Sequence, residues 1–341
     1  MLPEQARHFT AAIRDEAAQR YGLTPEHLRS LNGFENFVYE CSSDSGEELV
    51  LRIAHCSRRT LDYTLGEVEF VRYLAAAGLP VAQPVLAESG LFVERVDLET
   101  SDPDQYFVVT AFERAPGIVF DDAPPLKEAF WKPALFAELG AIFARLHNRA
   151  ASYKPPHPRL ARQHWHEYDV VDVARFVPAD ERLVLERAAR VVERVKRLPM
   201  SGESYGLIHA DLHPHNFCFD NGRLTIFDFD NCEYAWWIKD IAVLVYYIAR
   251  AETAGQREEA VAAFLPAFLA GYRTERRCER EWLRVIPDLL SLQRCMNYAL
   301  FHQYRDRGLL DDAGRDAWRR FRRDIEGDAP VLNLDFDCFD S

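Results

Sequence analysis

The hydrophobic pattern of the first 113 residues is mixed, with strand-like runs prominent. Phe9, Ile13 and Ala17 recur every fourth position, which predicts an amphipathic helix near the start of the chain. Thr24-Pro25-Glu26 then offers a helix cap with proline at the first helical position. NFVYEC (36–41) and ELVLRIA (48–54) are rich in β-forming residues and flank the segment SSDSGE, so they predict a hairpin. Helical spacing returns over 59–77, where Leu65, Val68, Val71 and Ala75 share one side. GLPVAQPV (78–85) ends that helix, and LFVERV (91–96) and YFVVTAF (106–112) read as two further strands.

Beyond this point long helices take over. LFAELGAIFARLH (135–147) puts Leu135, Leu139, Ile142, Phe143 and Leu146 on one face, and residues 180–198, 256–271 and 281–305 show the same period. A β-like island interrupts them: GLIHADLH, FCFD, then RLTIFDFD. The clusters AWW (235–237) and VYY (245–247) read as core. The expected architecture is α+β, with a β-rich N-terminal lobe over 1–113 and a helical C-terminal lobe over 114–341. The basic run RTERRCERE (273–281) reads as a solvated helical face, and the acidic tail DFDCFDS (335–341) is expected to be mobile.

Composition narrows the classes. At 341 residues and 48% hydrophobic, the chain is long enough for a substantial core split between two lobes. No apolar run reaches the roughly 18 residues of a membrane span, and the charged N-terminus does not resemble a secretory signal. Seven scattered cysteines without a CxxC pair suit reduced thiols in the cytoplasm. A net charge of −13 does not attract phosphodiester backbones, so nucleic acid is not expected as a partner, and without a span neither is a membrane. The expectation is a small-molecule substrate and a monomer or homodimer. A cationic substrate would be compatible with the charge.

The candidate chemistry concentrates in HADLHPHNFCF (209–219). His209, Asp211, His213 and His215 occupy every second position, which could describe a zinc or di-metal hydrolase. On a loop containing Pro214, however, alternation does not guarantee a shared face. Phosphoryl transfer asks for something else: a carboxylate to orient the acceptor hydroxyl, and hard oxygen ligands for Mg²⁺. Asp211, Asn216 and Asp228 supply oxygens of this type. The Asn-Gly turn in DNGR (220–223) predicts a hairpin that folds Asp228 back beside Asn216 across 12 positions.

HADLHPHN also fits the H-x-D-x-x-x-x-N pattern, and the chain resembles the aminoglycoside phosphotransferase and choline-kinase-like enzymes. The pieces GFENFVYEC, VLRIA, GLPVAQPV, VVTAFERAPG, LGAIFARLH and IFDFDNCEYAWWIKDIAVLVYYI occur in the family's order over roughly residues 30–250. The resemblance implies a two-lobed, protein-kinase-like fold and an ATP- and Mg²⁺-dependent phosphotransferase acting on a hydroxyl of a small molecule. Aminoglycosides, amino alcohols, homoserine-like molecules and sugars are its acceptor classes. It makes Asp211 the catalytic base and Asn216 and Asp228 the metal ligands. Asp230 becomes a candidate for metal or substrate, while His209 and Asp240 support the loop.

The nucleotide end departs from the pattern. Where many kinases place a strand lysine, VLRIA carries Arg52, which grips phosphate bidentately with permanent charge. Its expected helix partner is Glu67, with Glu69 the second choice. SLNGFENF (30–37) has one glycine and is no glycine-rich phosphate cradle; Asn36 is its candidate for covering the phosphates. His215 stands where the family commonly has glycine, and it is expected to project outward. Two alternatives stay open. One is a serine/threonine protein kinase of the same fold, though no Ala-Pro-Glu-like segment follows Asp228; the other is a metal-dependent hydrolase.

Overall fold

The computed structural model describes residues 3–31, 33, 35–43, 46–98, 104–119, 132–252, 255–304 and 311–340. These form two compact units that are not contiguous in sequence. One takes the chain up to Ile118 together with Tyr153–Arg162 and Cys218–Asp230; the other takes Val119–Ser152, Gln163–Phe217 and Asn231–Ser341.

The first unit opens with two helices, Pro3–His8 and Ala11–Arg20, where the sequence pattern predicted one. Thr10 makes the break by accepting a hydrogen bond from the Ile13 amide, so the chain re-caps and restarts. Ile13 and Ala17 remain buried in the core. Thr24-Pro25-Glu26 starts only a single 3₁₀ turn, Pro25–His27, because Thr24 supplies no capping bond. The main sheet contains β1 (Arg29–Ser30), β2 (Phe37–Ser42), β3 (Glu48–His55), β4 (Pro84–Val85), β5 (Val93–Asp97) and β6 (Tyr106–Glu113). Its order is β1-β2-β3-β6-β4, with β5 also paired to β6. Leu51, Ile53, Phe107, Val109 and Ala111 fill its covered face. The helix Leu61–Ala76 follows β3, capped by Thr60, and buries Val68, Phe70, Val71 and Leu74.

A two-residue strand, β7 (Ile118–Val119), follows Gly117. Gly117 has φ +92°, and a Cβ there would stand 2.1 Å from the Phe219 carbonyl oxygen, so only glycine fits. The hairpin strands β9 (Phe217–Asp220) and β10 (Arg223–Ile226) turn at Asn221 and Gly222, both with positive φ, and the second unit supplies β8 (Tyr205–Ile208). β11 (Glu233–Trp236) pairs antiparallel with β8, Glu233 opposite Ile208.

In the second unit the helices Pro133–Ala150 and Arg257–Glu275 touch backbone to backbone. A Cβ at Gly140 would lie 2.0 Å from the Phe268 carbonyl oxygen, and one at Gly271 would lie 1.8 Å from that of Ala137. The helical pattern predicted over 281–305 divides into Arg280–Leu283 and Ile286–Tyr304. Pro287 explains the break, since proline belongs in a first turn and not in an interior. A further helix, Asp312–Glu326, is so polar that its pattern escaped the sequence reading.

The tail corrects another expectation. Residues Phe336–Phe339 form a 3₁₀ turn that buries Phe336 and Phe339. Arg280 and Arg284 bind Asp337, and Arg273 binds Asp340. The basic run read as a solvated face is therefore the partner of the acidic tail. Among the described residues no helix is long and apolar enough to cross a membrane.

Candidate active site

In the first unit, the pairing of β3 with β6 places Arg52 opposite Thr110, pointing at the helix Leu61–Ala76. Arg52 donates to Glu67 through both terminal nitrogens, at 2.9 and 2.5 Å, and to Asp228 Oδ1 at 3.3 Å. Glu69 turns instead to Arg72 at 2.8 Å. Arg52 and Glu67 are both buried. Burial pushes the Glu67 carboxyl up from its ordinary range, and the Arg52 charge opposes that push. On Arg52 burial acts to lower the pKa, but Glu67 and Asp230 overcome it and the guanidinium is held above its ordinary value.

Asp228 sits in the left-handed region at φ +62°, a conformation that costs a non-glycine residue about 1 kcal/mol or more. Its neighbours hold it there. Upstream, Ile226 donates to the Pro80 carbonyl at 2.8 Å and accepts from the Ala82 amide at 2.9 Å. Downstream, Phe229 is buried with its ring 5.9 Å from that of Phe70. The Asp228 side chain remains 47% exposed, so its second oxygen faces outward.

Asp230 is buried among cations. Arg59 Nε donates to Oδ1 at 2.7 Å, while Asn36 Nδ2 (3.1 Å) and Arg58 donate to Oδ2. Burial works against the charge, but Arg58, Arg59 and Arg52 hold this carboxyl well below the usual carboxylate range. Asn36, assigned from sequence to the phosphates, accepts from Arg58 at 3.1 Å in this arrangement. Asn32 and Phe34 of the same loop lie outside the described residues. Arg58 and Arg59 escaped the sequence reading because they precede a helix and looked like its solvated start.

In the second unit, β8 delivers the loop His209–Asn216. Ala210 is left-handed at φ 66°, and the Asp240 carboxylate clamps it, accepting from the His209 amide at 3.1 Å and the Ala210 amide at 2.7 Å. His147 Nε2 lies 3.1 Å from the same carboxylate, and Tyr272 Oη lies 2.8 Å from His147 Nδ1. Burial lowers the His147 pKa, so a neutral ring donates to Asp240 and accepts from the tyrosine. Burial opposes the charge of Asp240 as well, yet the bond to His147 and the backbone donors lower its pKa.

Asp211 follows, with 25% of its side chain exposed. Asn231 Nδ2 donates to its Oδ2 at 3.2 Å, and the Asp211 amide donates to His209 Nδ1 at 3.3 Å. Asn216 turns its Nδ2 to the Asp211 carbonyl at 2.9 Å, which leaves its Oδ1 as the available end. The three alternating histidines go to different surroundings: His209 is buried, His213 is partly buried and His215 is exposed. Burial, with His215 and His209 nearby, pushes the His213 pKa down to about 3. His213 Nδ1 accepts from the His215 amide, and its Nε2 lies 3.5 Å from Asp211 Oδ1 and 3.4 Å from Asn216 Nδ2. Among the described residues no group of three or more His, Cys, Asp or Glu is arranged to hold a metal.

The Tyr247 ring lies 4.6 Å from that of His213, linking Asp211 to a polar strip on the helices Trp237–Ala251 and Ile286–Tyr304. Gln293 donates to Asn297 Oδ1 at 3.2 Å. Arg294 and Asn297 are 7% and 8% exposed, and Arg294 Nε is buried without a hydrogen-bond partner among the described residues. Helical periodicity had shown only that this stretch was amphipathic, not which polar residues turned inward.

The first unit thus gathers Arg52, Glu67, Asn36, Asp228 and Asp230, and the second gathers Asp211, Asn216, His209 and Asp240. An α+β chain with a buried strand-arginine to helix-glutamate pair and a clamped Asp–Asn loop is a phosphotransferase of the protein-kinase-like fold. The chain belongs to the phosphotransferase enzyme family, whose pattern matches residues 27–282. It is 36% identical to the amicoumacin kinase of Bacillus subtilis (strain 168) over 326 residues, 94% of this chain and 93% of that one. A solved amicoumacin kinase in complex with AMP-PNP, Ca²⁺ and Ami superposes with a TM-score of 0.89 at 35% identity, covering 97% of each chain. A microcompartment-associated aminopropanol kinase shares the fold, with a TM-score of 0.70 at 22% identity over 93% of this chain and 95% of its own. The chain is accordingly a small-molecule kinase.

Proposed function

We propose that this protein is a cytoplasmic, ATP- and Mg²⁺-dependent kinase that moves the γ-phosphate to a hydroxyl of an amicoumacin-like small molecule. The observation that carries the reading is the Asp240 clamp on the two amides that precede Asp211. It fixes a left-handed backbone whose purpose is to present one carboxylate. Similarity to an amicoumacin kinase solved with AMP-PNP and Ca²⁺ supports the nucleotide, the divalent metal and the acceptor class.

The donor chemistry suits a hard cation. Asn216 offers an amide oxygen whose nitrogen is already engaged, and Asp228 offers an outward carboxylate oxygen. Each is a candidate ligand for a divalent cation, which would supply charge neutralisation at the phosphates when bound. Arg52, braced by Glu67, grips the α- and β-phosphates, and Asn36 covers them. Asp211 orients the acceptor hydroxyl and takes its proton late in an in-line transfer. His213 sets its ring beside the other oxygen of Asp211. Arg294 and Asn297 meet polar groups of the acceptor.

The test is ATP consumption with Mg²⁺, and product mass, across amicoumacin, aminoglycosides, choline, ethanolamine and homoserine. A product heavier by one phosphoryl group with at least one of them is expected. No product with any acceptor, and no nucleotide-induced change in melting temperature, would reject the reading.

A further inference from the structure

We infer that Asp230 is a positioning residue: with Arg58 and Arg59 it locks the loop carrying Glu35 and Asn36 to the turn that carries Asp228. The inference rests on the nucleotide reading above. The sequence made Asp230 a candidate for metal or substrate, and the geometry points elsewhere. Its two carboxylate oxygens and its carbonyl all receive strong donors. Arg59 Nε reaches Oδ1 at 2.7 Å, Asn36 (3.1 Å) and Arg58 reach Oδ2, and Arg162 reaches the carbonyl at 2.6 Å. The side chain is 6% exposed, against 47% for Asp228 two residues earlier.

The donors are themselves fixed. Arg58 also binds Glu35 and the side-chain oxygen Oδ1 of Asn36, the latter at 3.1 Å. Arg162 lies over the Tyr63 ring at 3.4 Å and donates to the Tyr63 carbonyl at 2.7 Å, while Arg59 lies 5.0 Å over the same ring. One carboxylate thus ties together the start of β2, the β3–helix turn and the segment after β10. It is also the downstream anchor of Asp228, whose left-handed backbone persists only while both neighbours constrain it. A metal ligand would need an open oxygen, whereas a lock needs every oxygen engaged.

The test compares Asp230→Asn, Arg59→Gln and the double variant. Hydrogen exchange on the nucleotide-free protein reads the lock directly. Both single variants are expected to raise exchange in peptides covering 33–38 and 56–63, by about tenfold or more for the loss of a charge-assisted bond. ATP turnover then reads its consequence. Each single variant is expected to raise the KM for ATP by roughly tenfold with the acceptor KM unchanged, and the double variant is expected to be no worse than the worse single. If Asp230 were a metal ligand, Arg59→Gln would free it and would not copy Asp230→Asn. Additive effects, or unchanged exchange in both single variants, would overturn the lock. Should Asp230→Asn fail to fold, Arg58→Gln removes a donor from the rim of the cluster and is held to the same outcomes. Failure of the wild-type protein to bind or consume ATP would reject the kinase reading, and the exchange arm would still decide the lock.

Discussion

Arg52 addresses Glu67 with two parallel nitrogens, at 2.9 and 2.5 Å, inside the protein and away from water. Lysine cannot reproduce this fork, although it keeps the charge. Arg52→Lys should therefore fold but raise the KM for ATP by about tenfold through the loss of one charge-assisted bond. Arg52→Met should be more damaging to stability, because it strands a buried carboxylate at a cost of about 3–5 kcal/mol. Removing both charges in Arg52→Met/Glu67→Leu should restore much of that stability and none of the activity. Urea unfolding of the three variants checks the order. A double variant less stable than Arg52→Met would contradict the pairing.

Asp211 and Asp228 are expected to fail differently. Asp211 acts on the acceptor proton, so Asp211→Ala should lower kcat by roughly 10²–10⁴-fold while ATP affinity stays near wild type. Asp228→Ala should weaken metal-dependent nucleotide binding itself. Turnover and nucleotide titration, run on both variants at several Mg²⁺ concentrations, separate the two. Normal turnover by Asp211→Ala would remove it from the chemistry.

Acid should destabilise the second unit earlier than carboxylate protonation would. Burial lowers the pKa of His147, and it pushes that of His213 down to about 3, against an ordinary value near 6.5. A folded pKa below the unfolded one means that the unfolded chain binds protons first as the pH falls. The stability these rings contribute is thus complete above about pH 6.5 and is lost toward their folded pKa values, at up to about 1.4 kcal/mol per pH unit for each ring. Asp240 acts in the same direction, but only below about pH 4. His147→Gln can still donate to Asp240 and accept from Tyr272 without titrating. It should flatten the pH dependence of the urea midpoint between pH 6.5 and 4.5, even at some loss of stability. An unchanged slope would show that His147 does not titrate on unfolding.

Local signals exposed most of the strands and helices, because the β-forming residues of ELVLRIA and the four-residue period of LFAELGAIFARLH each report on one element at a time. They could not reveal long-range seating. Gly140 and Gly271 look like two glycines in helices, yet each lies against the carbonyl of the opposing helix. The acidic tail and the basic run 273–281 looked like two solvated segments because their pairing spans some sixty positions. The same limit applied at the site. HADLHPHN names Asp211 and Asn216 by spacing, but Arg58 and Arg59 belong to Asp230 across more than 170 positions. His147 ends the piece LGAIFARLH, but nothing in that piece shows that it joins Tyr272 in bracing Asp240.

Arg294 and Asn297 offer a test of acceptor recognition that stability and activity should answer in opposite directions. Both are buried, with Arg294 Nε lacking a partner among the described residues. A polar group left in that state costs about 1–3 kcal/mol in the folded protein. An apolar side chain of similar length should therefore be tolerated, so Arg294→Met should melt at or above the wild-type temperature. Its acceptor KM should rise by roughly tenfold, since the donor that the acceptor would satisfy is gone, while the KM for ATP stays unchanged. Asn297→Leu should behave likewise but more mildly, because Gln293 loses its acceptor in that variant. A lower melting temperature with an unaltered acceptor KM would make these residues part of the helix packing and would move acceptor recognition elsewhere.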